Sequence, residues 1–171
     1  MNLQAKLPMR DIVINTGPII ALVTATGSLE WLPSLYRQIL IPFEVLQEIE
    51  AGGQGNPESC ALNLINDRAI IGQEKSEISA ALLRDLDIGE ASVIANAALN
   101  RIDTVAIDEK AGRRLARIHG LRVTGSLGIL LKAKKQNIIP SLNDCISRMR
   151  HHGIWITEDL VTDSLREAGE L

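Results

Sequence analysis

Asp11-Ile12-Val13-Ile14-Asn15, running directly into Thr16, Gly17 and Pro18, is the stretch whose reading decides the fold. Three branched apolar residues in a row, with no polar alternation, read as a short strand buried on both faces. Thr16 and Gly17 turn the chain. Pro18 then suits the first turn of a helix, where a missing N–H costs no hydrogen bond. A strand that passes at once into a helix is the opening of a βα unit.

The same alternation continues outward from this stretch. Leu29 to Leu35 reads as a short second helix, Gln38 to Ile41 as a second strand, and Pro42 opens a helix through Glu50. Gly52, Gly53 and Gly55 follow a helix rather than a strand, so they read as a surface loop and not as a phosphate-binding fingerprint. Helices are expected over 58–66 and 75–84, with a short strand at Ala69 to Ile71 between them. Ile88 to Asn100 carries apolar residues at helical spacing and should be buried against a sheet. Thr104 to Ile107 is a strand, Glu109 to His119 a helix, Leu121 to Val123 a last strand, and three helices follow near 126–136, 141–151 and 158–168. The expected fold is therefore α/β: three α/β/α layers around a mainly parallel sheet of four to five strands, with extra C-terminal helices. No repeat or linker divides the chain, so residues 11–171 read as one domain behind an N-terminal extension, 1–10.

Composition excludes several classes. No run approaches the ~20 apolar residues of a membrane-spanning helix, and Lys6, Pro8 and Arg10 interrupt any signal-peptide core, which points to a cytoplasmic protein without a membrane partner. Cys60 and Cys145 form no CxxC pair and read as reduced, buried thiols. Trp31, Tyr36, Phe43 and Trp155 are the only aromatic residues, too few for a base-stacking platform. The net charge of -3 is unevenly placed: residues 44–109 hold thirteen acids against four bases, whereas residues 110–135 hold eight bases and no acid. Acids for a cation and bases for a phosphate backbone suit a phosphodiester cutter. Amphipathic helices with a solvated basic face explain the second half equally well.

Asn15, Glu48, Glu90 and Asp108 form the candidate constellation. Asn15 ends the first strand, Asp108 follows TVAI, Glu48 lies two turns into the second helix, and Glu90 is in the first turn of the apolar helix, where the dipole favours an ionised carboxylate. Oxygen ligands of this kind suit Mg²⁺ or Mn²⁺. Each residue also has a plain structural alternative: Asn15 as a turn residue, Glu90 with Asp87 as a capping box, Asp108 as an N-cap, and Glu48 as a solvated neighbour of Glu44. Arg113 and Arg114 lie one to two turns beyond Asp108, and one of them can face the cleft to clamp a phosphate. Thr124 and Ser126 can reach a phosphate or cap the next helix.

The segments IVINTGPIIAL, ILIPFEVLQEI, LDIGEASVIANAAL, TVAIDEKAGRRLA and VTGSLGILLKAK, followed by GIWITEDL to REAGE, resemble the PIN-like nuclease superfamily. The match is to a little-characterised branch that carries I-P-x-x-V-x-x-E, D-x-G-E-A and I-D-E-x-x-G-R in that order. The resemblance implies a metal-dependent ribonuclease with Mg²⁺ or Mn²⁺ at Asn15, Glu48, Glu90 and Asp108. It further implies, from VapC-type relatives, the toxin of a toxin–antitoxin pair held by a small cognate antitoxin. Asn15 departs from the wider superfamily, where an Asp stands. An amide oxygen can still ligate a hard cation but brings no charge and cannot act as a base. Asp11, at the far end of the strand, cannot replace it, and Glu109 is the candidate compensating acid. Two other readings stand beside the enzyme: a catalytically weakened PIN-like module that binds RNA or protein, and a receiver domain, which lacks its acidic pair. A homodimer is expected from the apolar surface of the C-terminal helices.

Overall fold

The computed structural model describes residues 9–52, 56–64, 69–72 and 74–171. Five parallel strands make one sheet in the order β3-β2-β1-β4-β5: β1 Arg10–Ile14, β2 Tyr36–Ile41, β3 Ala69–Ile71, β4 Thr104–Ala106 and β5 Arg122–Thr124. Ile12, Val13 and Ile14 are fully buried, as an unalternating central strand must be when helices cover both faces. Val13 pairs with Val105 and Ile14 with Ala106 on one side, and Val13 pairs with Leu40 on the other.

The helices fall into two groups. Around α5 (Ile88–Leu99) pack α2 (Phe43–Ala51), α4 (Ala80–Leu83) and α6 (Lys110–Ile118). Around α1 (Thr16–Thr26) pack α3 (Pro57–Leu64), α7 (Ser126–Lys135) and α8 (Leu142–His151), with α9 (Glu158–Ala168) laid on α7 and α8. The three-layer expectation holds, with an all-parallel sheet of five strands.

Four local expectations need correction. Leu29 to Leu35 is not an α-helix; it holds only a 3-10 turn, Leu32–Ser34, because Pro33 lacks an N–H. In addition, the Trp31 indole is tied back to Ser28 O at 2.8 Å. Of 75–84, only Ala80–Leu83 is helical: Ser76 is held by the Glu44 carboxylate through its N–H (2.6 Å) and hydroxyl (2.7 Å), and Ser79 caps the short helix that follows. Cys60 is exposed, whereas Cys145 is buried as expected. Arg10, assigned to an extension, already opens β1 and bonds Asp103 at 2.8 Å. Residues 1–8, the glycine positions 53–55 and the end of the 58–66 helix lie outside the described residues.

Candidate active site

In this strand order the chain leaves β1 in one direction and returns to β4 on its other side, which opens a crevice beyond the carboxyl ends of those two strands. Asn15 directly follows β1, and its N–H donates to Ala106 O of β4 at 3.0 Å. Asp108 lies two residues past β4. The topology thus brings together positions 93 residues apart in the chain.

Glu48 and Glu109 reach the first turn of α1, and Glu90 lies near enough to Glu109 to feel its charge. The Thr16 hydroxyl donates to the Glu48 carboxylate, whose Oε1 lies 2.6 Å from the point where a Cβ on Gly89 would stand. A Cβ there would displace that carboxylate. Glu90 is 4% exposed; its N–H donates to Asp87 at 2.8 Å, which caps α5, and its carboxylate rests against Gly112. Glu109 stands at the N-cap position of α6 without a capping bond, its Oε1 3.0 Å from the Cβ position of Gly17. Burial pushes the Glu90 carboxyl above its ordinary range, and repulsion from Asp87 and Glu109 adds to this against the amides of Asp87 and Gly112.

Asp108 is held by the start of α7. Its Oδ1 accepts the Ser126 N–H at 2.8 Å and so caps α7 from a different element, because Gly125 at the N-cap has no side chain to do so. Arg113 Nη1 donates to Ile107 O at 2.8 Å and lies against Gly125 beside Asp108. Burial and Arg117 lower the Arg113 pKa, while Asp108 opposes them. Arg114, the next residue of the helix, is exposed. Ser126 is buried at the start of α7, and the Thr124 hydroxyl bonds Gly125 O at 3.3 Å.

Asn15 occupies the N-cap position of α1 but makes no side-chain capping bond. Among the described residues, its buried Oδ1 and Glu90 Oε1 are the two buried side-chain oxygens with no hydrogen-bond partner. Leaving such acceptors unpaired costs roughly 1–3 kcal/mol each. Oxygens of this kind suit a hard divalent cation, and the acids around Glu90 favour a positive charge there. The donor set fits such an ion in chemistry. No three His, Cys, Asp or Glu side chains among the described residues form a ready-made cage; Glu48 is bonded by Thr16 and Asp108 by Ser126.

The basic stripe divides. Arg122 pairs with Asp103, Lys134 with Glu170 and Lys135 with Glu167, while Lys132 lies 4.2 Å over the Tyr36 ring and bonds Leu35 O. Lys110, Arg114 and Arg117 remain exposed on α6 with no ion pair among the described residues. Asp11 is held by Arg37 at 2.6 Å, which lowers its pKa. His119 and His152 end α6 and α8.

Sequence reading missed three features: the Thr16–Glu48 bond, the glycines that seat Glu48 and Glu90, and the approach of α9 to Asp108. Glu44, expected to share a solvated face with Glu48, is instead buried on Ser76. The glycine seats had a signal, since Gly89 precedes Glu90 and Gly112 follows Glu109 by three residues. The α9 approach had none.

A parallel α/β sheet with oxygen-bearing side chains just past the ends of β1 and β4 places this protein among the α/β switch-point folds. The chain belongs to the PIN domain family, whose model matches residues 11–170. Among solved structures it is similar to a PilT N-terminus domain protein from the hyperthermophilic archaeon Sulfolobus solfataricus, at 16% identity over 72% of this chain and 92% of that one, with a TM-score of 0.49. No curated protein matches. No described helix is long and apolar enough to cross a membrane.

Proposed function

We propose that this protein is a metal-dependent endoribonuclease that hydrolyses RNA phosphodiesters. The observation that carries this reading is the pair of unpartnered buried oxygens, Asn15 Oδ1 and Glu90 Oε1, in the acid-rich crevice. Asn15, Glu48, Glu90 and Asp108 would hold Mg²⁺ or Mn²⁺, with Glu109 adding the charge that Asn15 lacks. A bound divalent cation supplies acidity to a water and neutralises charge on the phosphoryl group. Thr16 orients Glu48 through its hydroxyl, and Gly89 and Gly112 leave room for the two acids. Arg113, fixed on Ile107 O, meets a phosphate at the cleft edge, while Lys110, Arg114 and Arg117 lie along α6 to follow the backbone. Thr124 and Ser126 line the same edge.

In its fuller form the reading makes this a cytoplasmic toxin, restrained by a small cognate antitoxin and acting as a homodimer. The family membership supports the nuclease, and the resemblance to VapC-type proteins supports the toxin role. One observation favours a weakened RNA- or protein-binding module instead: the neutral amide at Asn15, in a site whose acids do not form a closed cage. Cleavage of RNA in Mn²⁺ by the purified protein separates the two. The enzyme reading expects cleavage that falls by on the order of a hundredfold in Asp108→Ala, with tighter metal binding in Asn15→Asp. Failure of both the native protein and Asn15→Asp to cut a broad set of RNAs would overturn it.

A further inference from the structure

Beside the acids a second feature opens from Asp108. A groove of about 440 Å³ runs from Asp108 and Arg113 between the start of α7 and the outer face of α9. That volume lies within the ~300–1,000 Å³ range of small-molecule sites. Its walls are apolar: Val123, Leu127 and Leu131 on one side, and Leu160 on the other. Gly125 and Gly128 keep the α7 side open; a Cβ on Gly128 would stand 2.6 Å from the Thr124 hydroxyl. The rim is polar, with Asp163, Ser164 and Glu167 from α9 and Arg113 from α6.

The charges on that rim are compensated locally. Asp163 pairs with Arg166 at 3.0 Å, Glu167 with Lys135, and Asp108 has Arg113 beside it. Along Leu127, Leu131 and Leu160 a groove so balanced attracts neither a bare phosphate nor a strongly cationic side chain, which leaves Arg113 at its mouth as the phosphate contact. It suits a flat, neutral group with apolar faces and a hydrogen-bonding edge. The phosphate-binding residues and the groove share Arg113, so a strand whose backbone lies at Arg113 would direct its neighbouring substituent into the groove.

We propose that this groove is a nucleobase subsite, which rests on the ribonuclease reading above and adds its specificity: it takes a base bearing an exocyclic amino group, next to the phosphate held at Arg113. Leu131 and Leu160 sandwich the base. The Asp163 and Glu167 carboxylates accept from its amino group, a donor that uracil lacks. A site built around such a bond rejects the analogue without it more strongly than apolar contact alone would.

The test is a titration of the methyl-labelled full-length protein with AMP, CMP, GMP, UMP and inorganic phosphate in metal-free buffer, following the Leu127, Leu131 and Leu160 methyl resonances. AMP, CMP and GMP are expected to shift all three, UMP to bind about tenfold more weakly, and phosphate alone to shift none. Leu160 is 51% exposed, so Leu160→Glu should leave the fold intact and weaken AMP binding by about tenfold. Unmoved methyls, an equal response to UMP, an equal response to phosphate, or unchanged binding in Leu160→Glu overturns the subsite. Displacement of AMP by an arginine-rich peptide of higher affinity overturns it too, by marking a protein-docking groove. No bond is cut in this titration. A protein that passes it but never cleaves RNA loses only the nuclease reading, and one that cleaves but fails it loses only the subsite.

Discussion

Glu90 and Glu170 are both buried in part at the start of a helix, and the fold treats them in opposite ways. Glu170 follows α9 and caps α8 from outside, accepting from the Leu142 N–H at 2.7 Å, the Asn143 N–H at 2.8 Å and the Ser141 hydroxyl at 3.2 Å, with Lys134 at 3.0 Å. Burial alone would raise its pKa, but the Asn143 and Leu142 amides and Lys134 outweigh it and hold the carboxyl at about 2. Glu90 has an oxygen with no partner, acids for neighbours and a raised pKa. The C-terminal layer satisfies its carboxylate and gains stability. The crevice leaves its carboxylate waiting for something positive.

The largest effect that tests this contrast is on turnover. Under the nuclease reading, Glu90→Gln should cut Mn²⁺-dependent RNA cleavage by on the order of a hundredfold, whereas Glu170→Gln should leave the rate of the folded protein unchanged. Comparable losses in both variants would erase the distinction. Next comes stability. Glu170→Gln removes charge-assisted bonds at the α8 terminus and should cost roughly 2 kcal/mol. In a domain of this size that lowers Tm by roughly 4–8 °C in calorimetry. Because the folded pKa of Glu170 lies below its ordinary 4.5, its contribution is full above 4.5 and is lost as pH falls toward about 2. The variant should lack that part of the acid limb.

A smaller effect is expected at the glycine that seats Glu48. Gly89→Ala pushes the Glu48 carboxylate out of place, since its Oε1 lies 2.6 Å from the new Cβ. Mn²⁺ affinity, read by calorimetric titration, should fall about tenfold while the far-UV spectrum is kept. Unchanged affinity would remove Glu48 from the ligand set. The smallest is a change of sign in stability. Glu90 has a raised folded pKa, so the metal-free protein loses stability as pH rises from the ordinary 4.5 through that raised value. Glu90→Gln removes this penalty and should raise the metal-free Tm at neutral pH, opposite to Glu170→Gln. A fall in Tm would show that Glu90 is satisfied by something other than a cation.

Much of the frame is legible in the chain because it is set by local physics. DIVIN and TVAI lack alternation, so both strands had to be central; Asp87 before Ile88 is a capping signal that the structure uses, with its carboxylate on the Glu90 N–H. The missed helices fail for non-local reasons. Residues 75–79 have helix-compatible sequence, yet Glu44, thirty-two positions away from Ser76, captures it, and the helix begins only at Ala80. The basic stripe reads as one face in sequence, but the acids that neutralise Arg122, Lys134 and Lys135 come from elsewhere in the chain, and among the described residues Lys110, Arg114 and Arg117 of α6 have no ion pair. Likewise, Asp108 looked like the cap of its own helix and instead caps α7.

The sequence by itself determined the order of strands and helices, the apolar centre of the sheet and the family, because these follow from periodicity, turn chemistry and ordered motifs along one chain. It also marked Asn15, Glu48, Glu90 and Asp108 by their positions at the ends of elements. Only the tertiary structure decided which way those side chains face. Glu48 settles against Gly89, Glu90 against Gly112 and Glu109 against Gly17, while Asp108 caps α7 beside Arg113 at the mouth of the groove along α9. The reason is steric and electrostatic: a carboxylate goes where a missing Cβ leaves space or a distant N–H offers a bond, and neither is written in its own neighbourhood.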